Sequence, residues 1–555
     1  MAAKETILAN GRIFQPRGPS GKDQEASFAT SLLIGADGTI KHINTCLDGS
    51  SQDETMQAAR ANGAAIHDLH GRTVLPGFFD GHVHLLLFGL SLQKVDLTPC
   101  SNIDEIRAAI KAFAAAHPEL PRIMAKSWRH AQTPDGIHHR LLDDLDPRPI
   151  YVDSKDLHSV WANQAGIDEL DETLHVKTIP SPPGGTIYRD ADGTATGHFE
   201  EAVVFTMIWP WLSRISTLQE RTAAIEQAID AYNAQGYVGI TELGMDREAW
   251  QCLVALKKRR PDLPIRLASY WFLTPSEDEA NLRDQVRTIA GHARAWNAHT
   301  SPDLRVAGIK IVTDGIVDSC TAALAAPYSH NGTDARPVWT KEMLLPAVDE
   351  ASQAGIQVAI HAIGDLAVRN AVDVIEAKVK PAQRPRIEHL ELASAEDAAR
   401  LGKLGITASV QPVHSDPAIL RAWPRLIGEH RCARAFAYRE FADGGATLAL
   451  GSDAPTAPHA VAANCYVATT RRSAREPESE TAFNVHFALG LCESIVAASR
   501  GSAYTCFMED RTGSIEKGLN ADLAVMDMVW DKQQLLQANV VETWFAGRKV
   551  FPTEA

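Results

Sequence analysis

Eight short apolar runs, each closing on a polar or ionisable residue, recur along this chain: TVLPGFFDGHVH, YVGITELG, IRLASYWFL, GIKIVTDG, QVAIHAIGD, RIEHLEL, ITASVQP and TLALGSDAP. Helical patterns separate most of them. Parallel strands need helical crossovers and are buried on both faces, so they read as nearly continuous apolar runs rather than as alternation. Eight such units in alternation with helices predict an α/β fold, a (β/α)8 TIM-like barrel. The series closes at eight only if the first strand starts near Val74 and the second near Tyr237, which places the barrel over residues 74–510.

That reading leaves about 150 residues, 90–235, between the first two strands, far more than an ordinary βα loop holds. An inserted subdomain is predicted there. It carries its own strand-like runs, RIMAKSW and RPIYVDS, and a Gly/Pro-rich stretch, SPPGGTIYRDADGTATG, that reads as turns. Barrel sites lie at the C-terminal ends of the strands, so an insertion after the first strand is expected to cover the site. Residues 1–73 contain short strand patterns broken by Asn-Gly, Asp-Gly and His-Gly, and the same texture returns over 511–555. Both ends are expected to build one composite β-sandwich.

A formal charge of −15 with no clustered basic face argues against a nucleic-acid partner. The eight cysteines show no CxxC pairing, which suggests neither a disulfide framework nor a zinc finger and fits a reducing compartment. The N-terminus lacks the apolar core of a signal peptide, and no run of eighteen apolar residues occurs. The expectation is a cytoplasmic protein that acts on a small molecule, away from membranes, with a homodimer left open.

The strand ends collect ionisable residues. His82 and His84 are spaced i, i+2, which sends both side chains to one face of a strand. The fourth unit contributes Lys310, the fifth His361, the sixth His389 and the eighth Asp453. Imidazole and carboxylate suit zinc and similar divalent ions, and catalytic sites keep one coordination position open. A lone histidine near a strand is more often an ordinary hydrogen-bonded residue, but here each one falls at the end of a predicted barrel strand.

FFDGHVHL, GIKIVTDG, VAIHAIGD, RIEHLE and LALGSDAP, with DLHSVWAN, DGIVDSCTAAL and GSIEKGLNADLAVMD, resemble the motif set of the amidohydrolase superfamily. Within it they are similar to the YtcJ-like, amidohydrolase 3 branch that includes N-substituted formamide deformylase. The resemblance implies one or two divalent metal ions, zinc foremost, at the mouth of the barrel. His82, His84 and Asp453 would hold the first, and His361 and His389 the second. Lys310 matches a lysine that becomes N-carboxylated and bridges both ions in several branches. An ion pair with Asp314 is its plain alternative, and Glu242 is the nearest rival as a bridge.

The implied chemistry is hydrolysis of a C–N bond in an amide-like substrate, with Asp453 carrying the proton. A mononuclear deaminase is the alternative within enzymes. Such relatives normally carry a glutamate three residues after the fifth-strand histidine, where this chain has Gly364. A catalytically inert binding module is the alternative of another class. For substrate binding the candidates are His158, Trp161 and Asn163 in the insertion and Gln411 and His414 at the end of the seventh strand. Asp318 adds negative charge, and Asp365 is expected to orient neighbouring backbone or the histidine rather than to perform chemistry.

Overall fold

Gly77 divides the first apolar run into two strands that belong to different sheets. In the computed structural model, which describes residues 4–18, 21, 24–44, 53–155, 159–182, 185–201 and 203–553, Thr73–Pro76 pairs with the terminal strands, and the barrel begins only at Phe78. The sequence expectation of a first barrel strand from Val74 is corrected accordingly. The break follows from space: a Cβ on Gly77 would lie 2.6 Å from a Val238 methyl, and its N–H is taken by Asp522 O at 2.8 Å.

The barrel strands are β1 (Phe78–Val83), β2 (Tyr237–Met245), β3 (Arg266–Phe272), β4 (Leu304–Val312), β5 (Gln357–Ala362), β6 (Arg386–His389), β7 (Thr407–Val410) and β8 (Leu448–Leu450). They pair in chain order, every neighbour parallel. All residues of β1, β6, β7 and β8 are buried, as a sheet covered on both faces requires.

A parallel bridge between Val83 and Ala454 closes the ring. Asp80 holds this seam. Its Oδ1 accepts the N–H groups of His82 (3.0 Å) and Ser452 (2.9 Å), and its Oδ2 accepts the Ser452 hydroxyl at 2.6 Å. Gly451 is required at the same place, because a Cβ there would stand 2.5 Å from that of His82.

Beside the barrel, in the same compact unit, two sheets share one apolar core. One sheet runs Ile40–Asn44, Ser31–Ile34, Thr6–Ala9, Ala65–Asp68; the other runs Arg548–Phe551, Asn539–Phe545, Leu523–Asp527, Thr73–Pro76, Arg12–Arg17, Glu25–Ala29. Leu8, Ile13, Leu32, Val74, Leu523 and Trp544 pack between them, so residues from both ends of the chain build one sandwich.

Leu86–Gln227 forms a second compact unit. Its six-stranded sheet includes Ile123–Trp128 and Ile150–Ser154, the two strand-like runs of the insertion. The stretch read from sequence as turns is instead a hairpin, Gly185–Arg189 with Ala195–Glu201. Its Asp-Gly turn places Gly193 at φ 89°, where glycine is unhindered. No helix among the described residues is long and apolar enough to cross a membrane.

Candidate metal centre

The seam between β8 and β1 carries the first group of candidate ligands. Beyond β8 the backbone turns through Asp453 at φ 57°, and its N–H donates to His82 O at 2.8 Å while His84 N–H donates to Ala454 O at 3.0 Å. These bonds bring Asp453 Oδ1 to 3.4 Å from His82 Nε2 and 3.2 Å from His84 Nε2. Two imidazoles and a carboxylate thus face one point from strands adjacent across the closure.

The histidines of β5 and β6 adjoin this group. The His389 ring lies 5.0 Å from that of His82 and 4.3 Å from that of His361. On a regular strand His389 would point away from Glu388. The left-handed backbone at His389 and Leu390, φ 74° and 54°, breaks the alternation and lets both side chains serve the centre.

Burial, reinforced by the charge of Lys310, lowers His82 to about 4 and His361 to about 3. Burial likewise holds His389 well below the ordinary histidine range. Those three rings are therefore neutral near pH 7, the form in which imidazole ligates a metal. At His84 burial is outweighed by the Asp453 carboxylate, which raises it. Asp453 stays ionised: burial opposes its charge, but His82 and His84 beside it bring its pKa well below the usual carboxylate range.

Lys310 is 1% exposed within β4, and burial lowers its amine to about 8. The ion pair with Asp314 does not form. Asp314 instead accepts N–H groups from Ala323 (3.0 Å), Ile363 (3.0 Å) and Gly364 (2.8 Å), which fixes the loops after β4 and β5. Glu242, the rival bridge, has both oxygens engaged by backbone: Oε1 accepts Gly244 N–H at 2.7 Å, and Oε2 accepts Leu85 N–H directly behind the histidine pair. Asp365 accepts the N–H groups of Ala325 and Leu366, a backbone role.

Sequence reading missed the support beneath His82. Glu388 Oε2 lies 2.8 Å from His82 Nδ1, and Arg386 Nε donates to Glu388 Oε1 at 2.6 Å, all within the barrel interior. Arg386 also donates to Gly81 O, Ser409 Oγ and Thr505 Oγ1. Burial would raise Glu388, but the Arg386 charge and then His82 outweigh it and keep the carboxylate ionised. The signal was present in RIEH: two charged residues at i, i+2 on a strand buried on both faces must pair inside.

Of the proposed substrate-binding residues, Gln411 and His414 reach the centre. Gln411 Nε2 is 3.3 Å from His82 Nδ1, and His414 Nε2 is 3.6 Å from Asp453 Oδ2. Trp161 and Asn163 have structural partners within the insertion. Trp161 is fully buried in the insertion's core and donates Nε1–H to His138 O at 3.1 Å. Asn163 caps the helix Gln164–Leu174, its Oδ1 accepting from Ile150 and Gly166 and its Nδ2 donating to Arg148 O. His158 lies outside the described residues.

Gly364, three residues after His361, leaves no room for a side chain: a Cβ at this position would fall 2.0 Å from Ala323 O.

The donor set fits a divalent cation. His82 Nε2, His361 Nε2, His389 Nδ1 and Asp453 Oδ1 are buried without a hydrogen-bond partner. Each unsatisfied buried group costs roughly 1–3 kcal/mol, and a cation among them would satisfy several together.

Residues 65–551 match the model of the Amidohydrolase family. The chain is 27% identical to Protein LONG AFTER FAR-RED 3 of Arabidopsis thaliana over 99% of this chain and 92% of that protein. It is 27% identical to the putative amidohydrolase YtcJ of Bacillus subtilis (strain 168), over 87% and 90%. To the N-substituted formamide deformylase of Arthrobacter pascens it is 24% identical, over 91% of each. Among solved structures, an uncharacterized metal-dependent hydrolase from Pyrococcus furiosus superposes with a TM-score of 0.76 at 22% identity, over 95% of this chain and 100% of that one.

Proposed function

Since the chain belongs to the amidohydrolase family, we propose that this hydrolase is metal-dependent and cleaves a C–N bond of an N-acyl or N-formyl small molecule. The observation that carries the reading is the convergence of His82 Nε2 and His84 Nε2 on Asp453 Oδ1, amid buried polar atoms that make no hydrogen bond. These three residues would hold the ion, with His361 and His389 adjoining. A divalent ion, zinc foremost, supplies an activated water and polarises a carbonyl when bound.

The chain's own groups supply the rest. Asp453 divides its oxygens: Oδ1 faces the two histidines, and Oδ2 is turned toward His414. Oδ2 is the atom placed to take a proton from water and return it to the departing nitrogen. Gln411 Oε1, buried and without a partner, offers an acceptor to an N–H of the substrate. Lys310, buried and with its amine lowered to about 8, has the neutral fraction that carbamate formation needs, and a carbamate would convert it into an anionic ligand.

Amide hydrolysis is favoured over deamination by Gly364, which leaves no room for the glutamate a deaminase uses. One relative bears the name N-substituted formamide deformylase, so N-formyl compounds head the substrate screen. The net charge of −15 disfavours nucleic acid as a partner. Among the described residues, cysteines 100, 320, 432, 465, 492 and 506 form no disulfide, which favours a reducing, cytoplasmic setting.

The test is a screen of N-formyl and other N-acyl amines against protein loaded with zinc, repeated on His84→Ala and Asp453→Asn. Release of amine by the wild type alone supports the reading. Equal release by either folded variant overturns it.

A further inference from the structure

Two residues past His389, the chain places a second carboxylate at the same mouth. The left-handed turn at Leu390 brings Glu391 round so that His389, Glu391 and His414 each offer a ligand atom within 4.8 Å of the others. The rings of His389 and His414 lie parallel at an interplanar angle of 7°, with centroids 5.8 Å apart. His389 and Glu391 are 4% and 5% exposed.

The Glu391 carboxylate lacks what a buried anion needs. Among the described residues its side chain has one polar approach, His414 Nδ1 at 3.5 Å, well beyond the 2.7–2.9 Å of a charge-assisted hydrogen bond. No backbone N–H reaches it, in contrast to Glu242 and Asp314, which are capped by two and three such groups. Opposite it, His389 Nδ1 is buried with no partner. A buried carboxylate and an unsatisfied imidazole nitrogen are both costly unless a cation joins them.

The structure assigns a second divalent-cation site to His389, Glu391 and His414. The inference rests on the reading of the barrel mouth as a metal centre, but the site is distinct from the His82, His84 and Asp453 group. It also differs from the His361 and His389 pair that the family resemblance implies, because Glu391 and His414 belong to neither set. Two imidazoles and one carboxylate with a position left open suit zinc, cobalt or manganese rather than calcium. His414 joins the two groups: its Nδ1 faces Glu391 at 3.5 Å, while its Nε2 is 3.6 Å from Asp453 Oδ2.

The experiment titrates chelator-stripped, full-length protein with Co²⁺, reading bound metal by elemental analysis and ligand geometry by visible absorption. Wild type, Glu391→Gln, His414→Ala and His84→Ala are compared. Glu391→Gln and His414→Ala are expected to bind one equivalent fewer than wild type and to keep the ion that His84→Ala loses. Unchanged stoichiometry and affinity in Glu391→Gln and His414→Ala overturns the second site. A metal content unaffected in His84→Ala as well overturns the metal reading of the whole mouth. His414 is exposed enough that its truncation tests the site even if Glu391→Gln folds poorly.

Discussion

Glu388 Oε2 sits 2.8 Å from His82 Nδ1, which leaves His82 Nε2 as the nitrogen turned toward Asp453 Oδ1, 3.4 Å away. A carboxylate behind a ligating imidazole fixes the ring and its tautomer. Arg386 fixes the carboxylate in turn, so the orientation of His82 is set by a chain of buried charges.

Glu388→Gln is therefore expected to weaken zinc binding roughly 10–100-fold, read by competition with a chromophoric chelator. It also removes the charge that balances Arg386, and breaking a buried pair costs up to about 3–5 kcal/mol. A lower Tm should accompany the weaker binding. Wild-type affinity in this variant would show that Glu388 does not orient the ligand.

How far the sequence reveals this centre depends on backbone regularity. His82 and His84 are legible because strand alternation holds up to the end of β1. Asp453 and His389 owe their final directions to left-handed backbone at φ 57° and 74°, which no periodicity encodes. The Arg386 and Glu388 pair was readable from its spacing but was eclipsed by the histidine beside it. Trp161 and Asn163 are ambiguous in sequence for the opposite reason. An aromatic ring and an amide serve a ligand and a buried core equally well, and only the hydrogen-bond partners tell the two apart. The split at Gly77 was hidden because strands of two different sheets follow one another with no polar residue between them.

Asn163→Ala should destabilise the protein and leave the metal count untouched. The cap contributes about 0.5–2 kcal/mol, and Ile150 N–H, which now donates to Asn163 Oδ1 at 2.9 Å, would lose its acceptor in a buried place. Denaturant unfolding together with elemental analysis checks this. A variant of wild-type stability that binds substrate poorly would return Asn163 to a binding role.

Lys310 makes the stability of metal-free protein depend on pH. Its amine titrates at about 8 in the folded chain, below its ordinary 10.5. Between these values the unfolded chain holds a proton that the folded one does not, so stability rises with pH over that window. Relative to Lys310→Met, the stripped wild type is expected to gain stability from pH 8 to pH 10. The measurement is urea unfolding of both proteins at each pH, and a constant difference would mean that the lysine is not held in a desolvated place.

The strongest test of the local packing is Gly364→Ala. The backbone here is φ −69°, which any residue adopts, so the requirement for glycine is purely one of space. A methyl would meet Ala323 O at 2.0 Å and Ala323 C at 2.5 Å, backbone atoms that cannot swing aside as a side chain would. Asp314 clamps the same segment, accepting N–H groups from Ala323 and Gly364 with one oxygen. Relief would therefore have to move the loop after β4 and the end of β5 together. Overpacking of this kind costs typically about 1–3 kcal/mol and more where backbone must shift. The expected result is a lower Tm with weakened metal binding, since His361 lies three residues upstream of Gly364 on the same strand end. Gly364→Glu should fare worse and gain no deaminase activity. A stable Gly364→Glu protein that released ammonia from a cyclic amine would reverse the choice between the two chemistries.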